Sequence, residues 1–375
     1  MAAAFQRNLS NMAILLLLAL AAVHCVQSTF YGNVSYISLE GYVAGTDHQP
    51  YQGRIGMIPV MSLASRSKAM ERVAAFLNTR ERGELGRVES VCAEPMTVRK
   101  LACLQVGCIC TLAAVALASL YGWRRMPILW WLPPSLTIAI LYASCAARYL
   151  QALWFPYDLP HMFLFGACCA CILTRRCGAL IPLFALDVFF RETSLYLIPL
   201  CLSLAPRMSR RRVTMLCATM FALWLVIHLP IAYHYRHNVS ETGNRIRANL
   251  RSLEMPLYWP QIASMLGFLL LPVWMGRRHL SQHSRTFLLW SLPCFAVTAF
   301  YGLWIESRVA IEWTIPFALL AAEELNSRFQ RQVGMAPAGG SAVMRMPGHP
   351  RDPVMPYLPG REKISAGAAI GTTAH

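Results

Sequence analysis

A few residues capable of chemistry sit where the surrounding sequence is apolar or turn-like. Arg191-Glu192-Thr193-Ser194 interrupts the apolar run 178–204, and Tyr157-Asp158 and His161 open the run at 159–174. Glu306 and Arg308 stand beside the last apolar run, while Asp47, His48 and Arg54 lie in a turn-like stretch between Gly45 and Arg54. Carboxylates of this kind can take a proton from a hydroxyl, and arginines can grip a phosphate through two parallel hydrogen bonds. A charge at the centre of a bilayer costs ~2.5–3.5 kcal/mol on insertion scales, so Arg191 and Glu192 are not expected to face lipid. They lie at a membrane surface or line a polar cavity between helices. The plainer alternative is that the two pair with each other and only mark a helix turn.

The elements that must hold these residues are membrane helices. Hydrophobic residues make up 56% of the 375 and charged residues 14%, with a mean hydropathy of +0.42. A soluble domain carries roughly 25% charged residues. The expected fold class is therefore all-α, a multi-pass bundle of about 8–10 membrane segments, since each needs ~20 apolar residues. The net charge of +16 comes in short arginine clusters between apolar runs. Such a pattern orients spans and suits anionic lipid headgroups rather than nucleic acid, for which no fold motif is present.

Residues 1–27 read as a first transmembrane helix or signal anchor. Residues 28–99 read as an extracytoplasmic loop, irregular or strand-like at 30–42. Its apolar positions Val60, Met61, Leu63, Met70, Val73 and Leu77 recur at helical spacing against Arg66, Lys68 and Arg72, as in helices lying on a membrane surface. Residues 100–325 form the polytopic bundle, and 326–375 a Pro- and Gly-rich tail expected to be disordered and cytoplasmic. The positive-inside rule places Arg124-Arg125 and Arg175-Arg176 inside. It places Arg210-Arg211-Arg212 and Arg277-Arg278 there too only if 178–204 goes out and comes back as a hairpin. Asp47, His48, Arg54, Tyr157, Asp158, His161, Arg191, Glu192, the loop 234–258, Glu306, Arg308 and, at the margin, Glu312 then converge on the outer face or just beneath it.

Walker A, HExxH, GxSxG and helix-opening GxGxxG motifs are absent, and no inverted repeat of the transporter kind is evident. Most of the 13 cysteines lie inside apolar runs, where cysteine behaves as a small hydrophobe. Cys168-Cys169-Ala170-Cys171 reads as helix packing, and no zinc spacing or disulfide framework is indicated. Asn-x-Ser triplets occur at Asn8, Asn33 and Asn238.

Asp47…Pro50-Tyr51-Gln52…Arg54, Tyr157-Asp158-Leu159-Pro160, Arg191-Glu192-Thr193-Ser194, Pro256…Trp259-Pro260 and Glu306-Ser307-Arg308 resemble the pattern of a group of bacterial multi-pass membrane proteins. That group is in turn similar to the GT-C class of membrane glycosyltransferases. The resemblance covers about residues 12–325 through short motifs. It implies a polyprenyl-phosphate sugar donor, a site at the outer membrane face and residence in a bacterial inner membrane. GT-C enzymes carry an acidic residue in the first outer loop, often two in a row; here Asp47 is followed by His48. On this resemblance Asp47 is the first candidate general base and Asp158 the second. Arg54, Arg191 and Arg308 are candidate phosphate binders, with His48, His161 and Glu306 beside them. Glu192 is expected to orient Arg191. No cofactor is required; a divalent metal is allowed, but no ligand spacing demands one. A transporter would carry the same intramembrane charges, and a non-enzymatic membrane protein would use them only for packing.

Overall fold

The computed structural model describes residues 2–84, 94–146, 153–206, 208–241, 243, 245–265, 270–304 and 307–334. Among them the fold is all-α. The helices are α1 (Ala2–Gly32), α2 (Leu39–Ala44), α3 (Ile58–Ala64), α4 (Lys68–Glu84), α5 (Val98–Arg125), α6 (Leu132–Leu141), α7 (Asp158–Thr174) and α8 (Leu180–Val188). They continue with α9 (Leu197–Leu200), α10 (Arg210–His234), α11 (Ile246–Leu253), α12 (Trp259–Met265), α13 (Leu270–Met275), α14 (Gln282–Tyr301) and α15 (Thr314–Gln332). The extended segments β1 (Val34–Ser35) and β2 (Leu153–Trp154) pair in parallel. Asn8–Gly32 of α1, α5 and α10 are long and apolar enough to cross a membrane.

Local sequence explains the helix ends. Thr97, Ser209 and Ser281 cap α5, α10 and α14 by accepting hydrogen bonds from the backbone N–H groups of Lys100, Arg212 and Ser284. Arg124 and Arg125 close α5, where cations suit the helix dipole. Gly122 lets α5 approach the Trp130 backbone so closely that any side chain there would overlap it. Within the stretch read as a surface loop, α3 and α4 appear as helices, with Leu63, Val73 and Phe76 exposed. The strand-like expectation at 30–42 gives way to the end of α1, the short β1 and α2, which Ser38 caps. Helix α15 runs on to Gln332, so the boundary set at 326 falls inside a helix; Asn326 is buried and Arg328 pairs with Glu324 one turn back. The tail from 335 on lies outside the described residues.

The bundle has two chemically distinct ends. Asn11 near the start of α1 accepts from Trp130 just past α5, so α1 and α5 run antiparallel. At that same end His283, near the start of α14, lies 2.9 Å from the Ile172 carbonyl of α7 and 3.0 Å from the Ser203 carbonyl. Glu323 of α15 accepts there from the Ser281 N–H and the Ser284 hydroxyl. The arginines that end α5 and α7 belong to this basic end.

The segment 178–204 is a hairpin. Asp187 at the end of α8 meets His161 in the first turn of α7, whereas Ser203 returns to the level of Ile172 in its last turns. Helix α8 has nine residues, ~13 Å at the usual rise. The chain breaks at Arg191, whose backbone is extended (φ −162°, ψ 141°), and returns through a 3-10 turn, Glu192–Tyr196. The Gly56 N–H donates to the Phe189 carbonyl at the tip, and a Cβ on Gly56 would sit 2.8 Å from the Phe190 ring. Beneath the tip an aromatic cluster forms: the Trp313 ring lies 5.5 Å from both Phe165 and Phe317.

Candidate functional site

The site is built at the hairpin tip. Arg54 sits between two 3-10 turns, Tyr51–Gly53 and Ile55–Met57, and its carbonyl accepts from the Tyr42 hydroxyl. Its guanidinium lies 4.8 Å from the Tyr157 ring centroid and 5.6 Å from that of Tyr51. From there it makes a two-pronged pair with Glu192: Nε to Oε2 at 2.9 Å and Nη2 to Oε1 at 2.6 Å. Burial works against the Arg54 charge, but the Glu192 carboxylate overrides it and holds the guanidinium more firmly protonated than usual. For Glu192, burial alone would raise the carboxyl; Arg54 and then Arg191 reverse that and pull it down to about 2.

Arg191 makes a separate pair. Its Nη1 donates to Glu312 Oε2 at 3.1 Å, and Glu312 is fully buried. Expected to orient its neighbour, Glu192 instead turns to Arg54. The reason is local: in an extended backbone successive side chains point to opposite sides. Asp158, in the first turn of α7 and 5% exposed, interacts electrostatically with both arginines. Two guanidinium groups and three carboxylates from four separate stretches thus share one neighbourhood. Arg191 Nε and Glu312 Oε1 are buried there with no hydrogen-bond partner.

Asp47 is held in a stitched loop. Its N–H donates to Gln52 Oε1 at 3.0 Å, and the His48 N–H donates to its Oδ1 at 2.7 Å. Asn238 donates to the carbonyls of Gly45 (3.0 Å) and Asp47 (2.6 Å), while Gln49 N–H donates to the Val239 carbonyl. The segment after α10 therefore clamps the Asp47 loop. Asp47 Oδ2 is buried without a hydrogen-bond partner, and the His48 side chain is half-exposed. The amide groups of the triplet asparagines Asn238 and Asn33 are both engaged in structural hydrogen bonds, that of Asn33 to the Cys145 carbonyl.

His161, expected beside a phosphate, is fully buried between Asp187 and Thr193 instead. Glu306 and the side chain of Arg308 lie outside the described residues. Sequence reasoning gave no role to Asp187 and little to Glu312. The signal for Asp187 was present, a lone acid in the apolar run that became α8. Among the described residues no group of three or more His, Cys, Asp or Glu side chains is arranged to hold a metal ion.

No protein-family model, curated protein or solved structure matches this chain.

Proposed function

We propose that the chain is a multi-pass membrane glycosyltransferase of the GT-C kind, moving a sugar from a polyprenyl-phosphate donor to a hydroxyl acceptor at the extracytoplasmic face of a bacterial inner membrane. The observation that carries this reading is the meeting of Arg54, Arg191, Asp158, Glu192 and Glu312 at the hairpin tip, away from the basic end. The basic end faces the cytoplasm on the positive-inside rule. Legs Leu180–Val188 and Leu197–Leu204 then run out from the cytoplasmic end and back, both shorter than a full span, and tip residues 189–196 open toward the outer face. A backbone broken at such depth is tolerated where protein covers it.

In this reading the two arginines hold the donor phosphate, with Glu192 and Glu312 fixing their orientation between turnovers. Arg191 Nε, buried and unpartnered, is the donor already free to engage an oxygen. The acceptor hydroxyl loses its proton to a carboxylate. Asp158 is better placed than Asp47, because it interacts with both arginines while Asp47 sits in the clamped loop. The lipid tail lies against the apolar outer faces of the helices.

The test is sugar transfer by the purified protein in lipid from a panel of polyprenyl-phosphate donors. Asp158→Asn is expected to lower turnover ~10²–10⁴-fold, the usual contribution of a general base, with donor binding retained. Arg191→Ala is expected to abolish donor binding. Wild-type turnover in Asp158→Asn and loss in Asp47→Asn would move the base to Asp47. Turnover unchanged in both would sink the mechanism. The broken hairpin also favours a second reading, a transporter, since discontinuous helices form substrate sites there. Saturable uptake of an unmodified solute into proteoliposomes, with no sugar transfer, would promote it.

A further inference from the structure

Beneath the arginine–glutamate pairs lies a set of polar groups that sugar transfer does not use. Asp187 and His161 are both fully buried, at 0% exposure. Asp187 Oδ1 lies 2.8 Å from His161 Nδ1, and its Oδ2 lies 2.8 Å from the Ser194 hydroxyl. Ser194 shares its one proton between that oxygen and the Arg191 carbonyl at 2.7 Å. On the far side of the imidazole, His161 Nε2 is 3.0 Å from Thr193 Oγ1.

The contacts match the tautomer in which Nδ1 donates to the Asp187 carboxylate. Nε2 then presents a lone pair to the Thr193 hydroxyl. Hydroxyl, imidazole and carboxylate stand in the order that activates an oxygen nucleophile. The break at Arg191 makes the arrangement: it turns the chain so that α8 delivers Asp187 and the following turn delivers Thr193 to opposite nitrogens of one ring. A simple packing staple would seal all three groups. Here only the imidazole and the carboxylate are sealed, and Thr193 remains partly exposed.

We propose that Thr193 is the nucleophile of an acyl-transfer site, with His161 as its general base and Asp187 holding the imidazole in its productive tautomer. The substrate class is an activated carboxylic ester. Thr193 Oγ1 bonds to the carbonyl carbon as its proton passes to His161 Nε2. The bond to the leaving oxygen breaks, that oxygen takes the proton from Nε2, and an ester of Thr193 remains. Water or an acceptor hydroxyl then attacks this ester, giving its proton to Nε2, which returns it to Thr193.

The test is covalent labelling of the full-length protein in lipid with an alkyl fluorophosphonate, read by peptide mass spectrometry. An oxygen–phosphorus bond forms at Thr193, the phosphorus–fluorine bond breaks, and fluoride departs with the proton relayed through His161. The expected result is an adduct at residue 193 in wild type and in Thr193→Ser. The labelling rate should fall by ~10²-fold or more in His161→Gln, the usual worth of a general base. Asp187→Asn, which keeps the side-chain shape, serves as the second variant and should lower the rate at least ~10-fold through the lost tautomer control. Folded wild type that labels other hydroxyls but never Thr193 overturns the proposal. So does labelling of Thr193 at the wild-type rate in either folded variant. No sugar donor enters this assay, so its failure leaves the glycosyltransferase reading standing, and failure of that reading leaves this one standing.

Discussion

Arg54 and Glu192, 138 residues apart in the chain, meet through two parallel hydrogen bonds of 2.9 and 2.6 Å. This pair ties the segment between α2 and α3 to the hairpin tip. Its guanidinium is buried and its carboxylate about one-third exposed, at 8% and 36%. Arg54→Met should therefore destabilise by on the order of 1–2 kcal/mol, less than the ~3–5 kcal/mol of breaking a fully buried pair, because solvent screens the exposed partner. Thermal unfolding in detergent reads this. Adding Glu192→Gln should cost little more; strictly additive losses would show that the two do not act as a pair.

The same pair sets a pH dependence. The Glu192 carboxyl is held near 2 in the fold, against an ordinary value of 4.5. A depressed folded value means that the stabilisation is fully present above pH 4.5 and disappears as pH falls toward 2. Unfolding temperature measured across that window should fall more steeply for wild type than for Glu192→Gln. Parallel curves would remove Glu192 from the account of acid sensitivity.

Arg191 and Glu312 form the deeper pair, with side-chain exposures of 8% and 0%. Arg191→Ala strands a buried carboxylate and should cost ~3–5 kcal/mol. Removing the stranded charge as well, in Arg191→Ala with Glu312→Gln, should recover part of that loss. If the double variant is less stable than Arg191→Ala alone, the uncompensated charge is not the cause.

The hairpin carries a topological prediction. Single cysteines placed beside Arg124, Arg175, Arg211 and Arg277 in a cysteine-free background should all be shielded from an impermeant thiol reagent added outside intact cells, because arginine clusters in short loops resist translocation. A cysteine beside His48, whose side chain is half-exposed, should react if this loop lies outside as proposed. External labelling beside Arg211 would overturn the membrane placement of the hairpin.

Gly56 is a contact point between the segment preceding α3 and the tip, its N–H donating to the Phe189 carbonyl. A methyl group there would sit 2.8 Å from the Phe190 ring. Gly56→Ala should destabilise by ~1–3 kcal/mol, the usual range for overpacking a filled site. It should also loosen the neighbouring Arg54–Glu192 pair, seen as a weaker effect of Arg54→Met in the Gly56→Ala background.

Composition, apolar run lengths and the 3.6-residue periodicity determined by themselves the helical class and the presence of helices α3 and α4; of the 8–10 membrane segments expected, three helices among the described residues are long and apolar enough to cross a membrane. These are local properties, fixed by each segment's own residues. The arginine clusters also contained the out-and-back course of 178–204, because charge patterning is additive along a chain. Partnership was not legible. Arg191 and Glu192 are neighbours in sequence, yet each pairs with a residue far away, Glu312 and Arg54. An extended residue at a helix break sends adjacent side chains to opposite sides, and only the packed bundle decides what each one meets. Asp187 was hidden for the same reason: in the sequence it is one acid in an apolar run, and only the antiparallel packing of α8 on α7 brings it within 2.8 Å of His161.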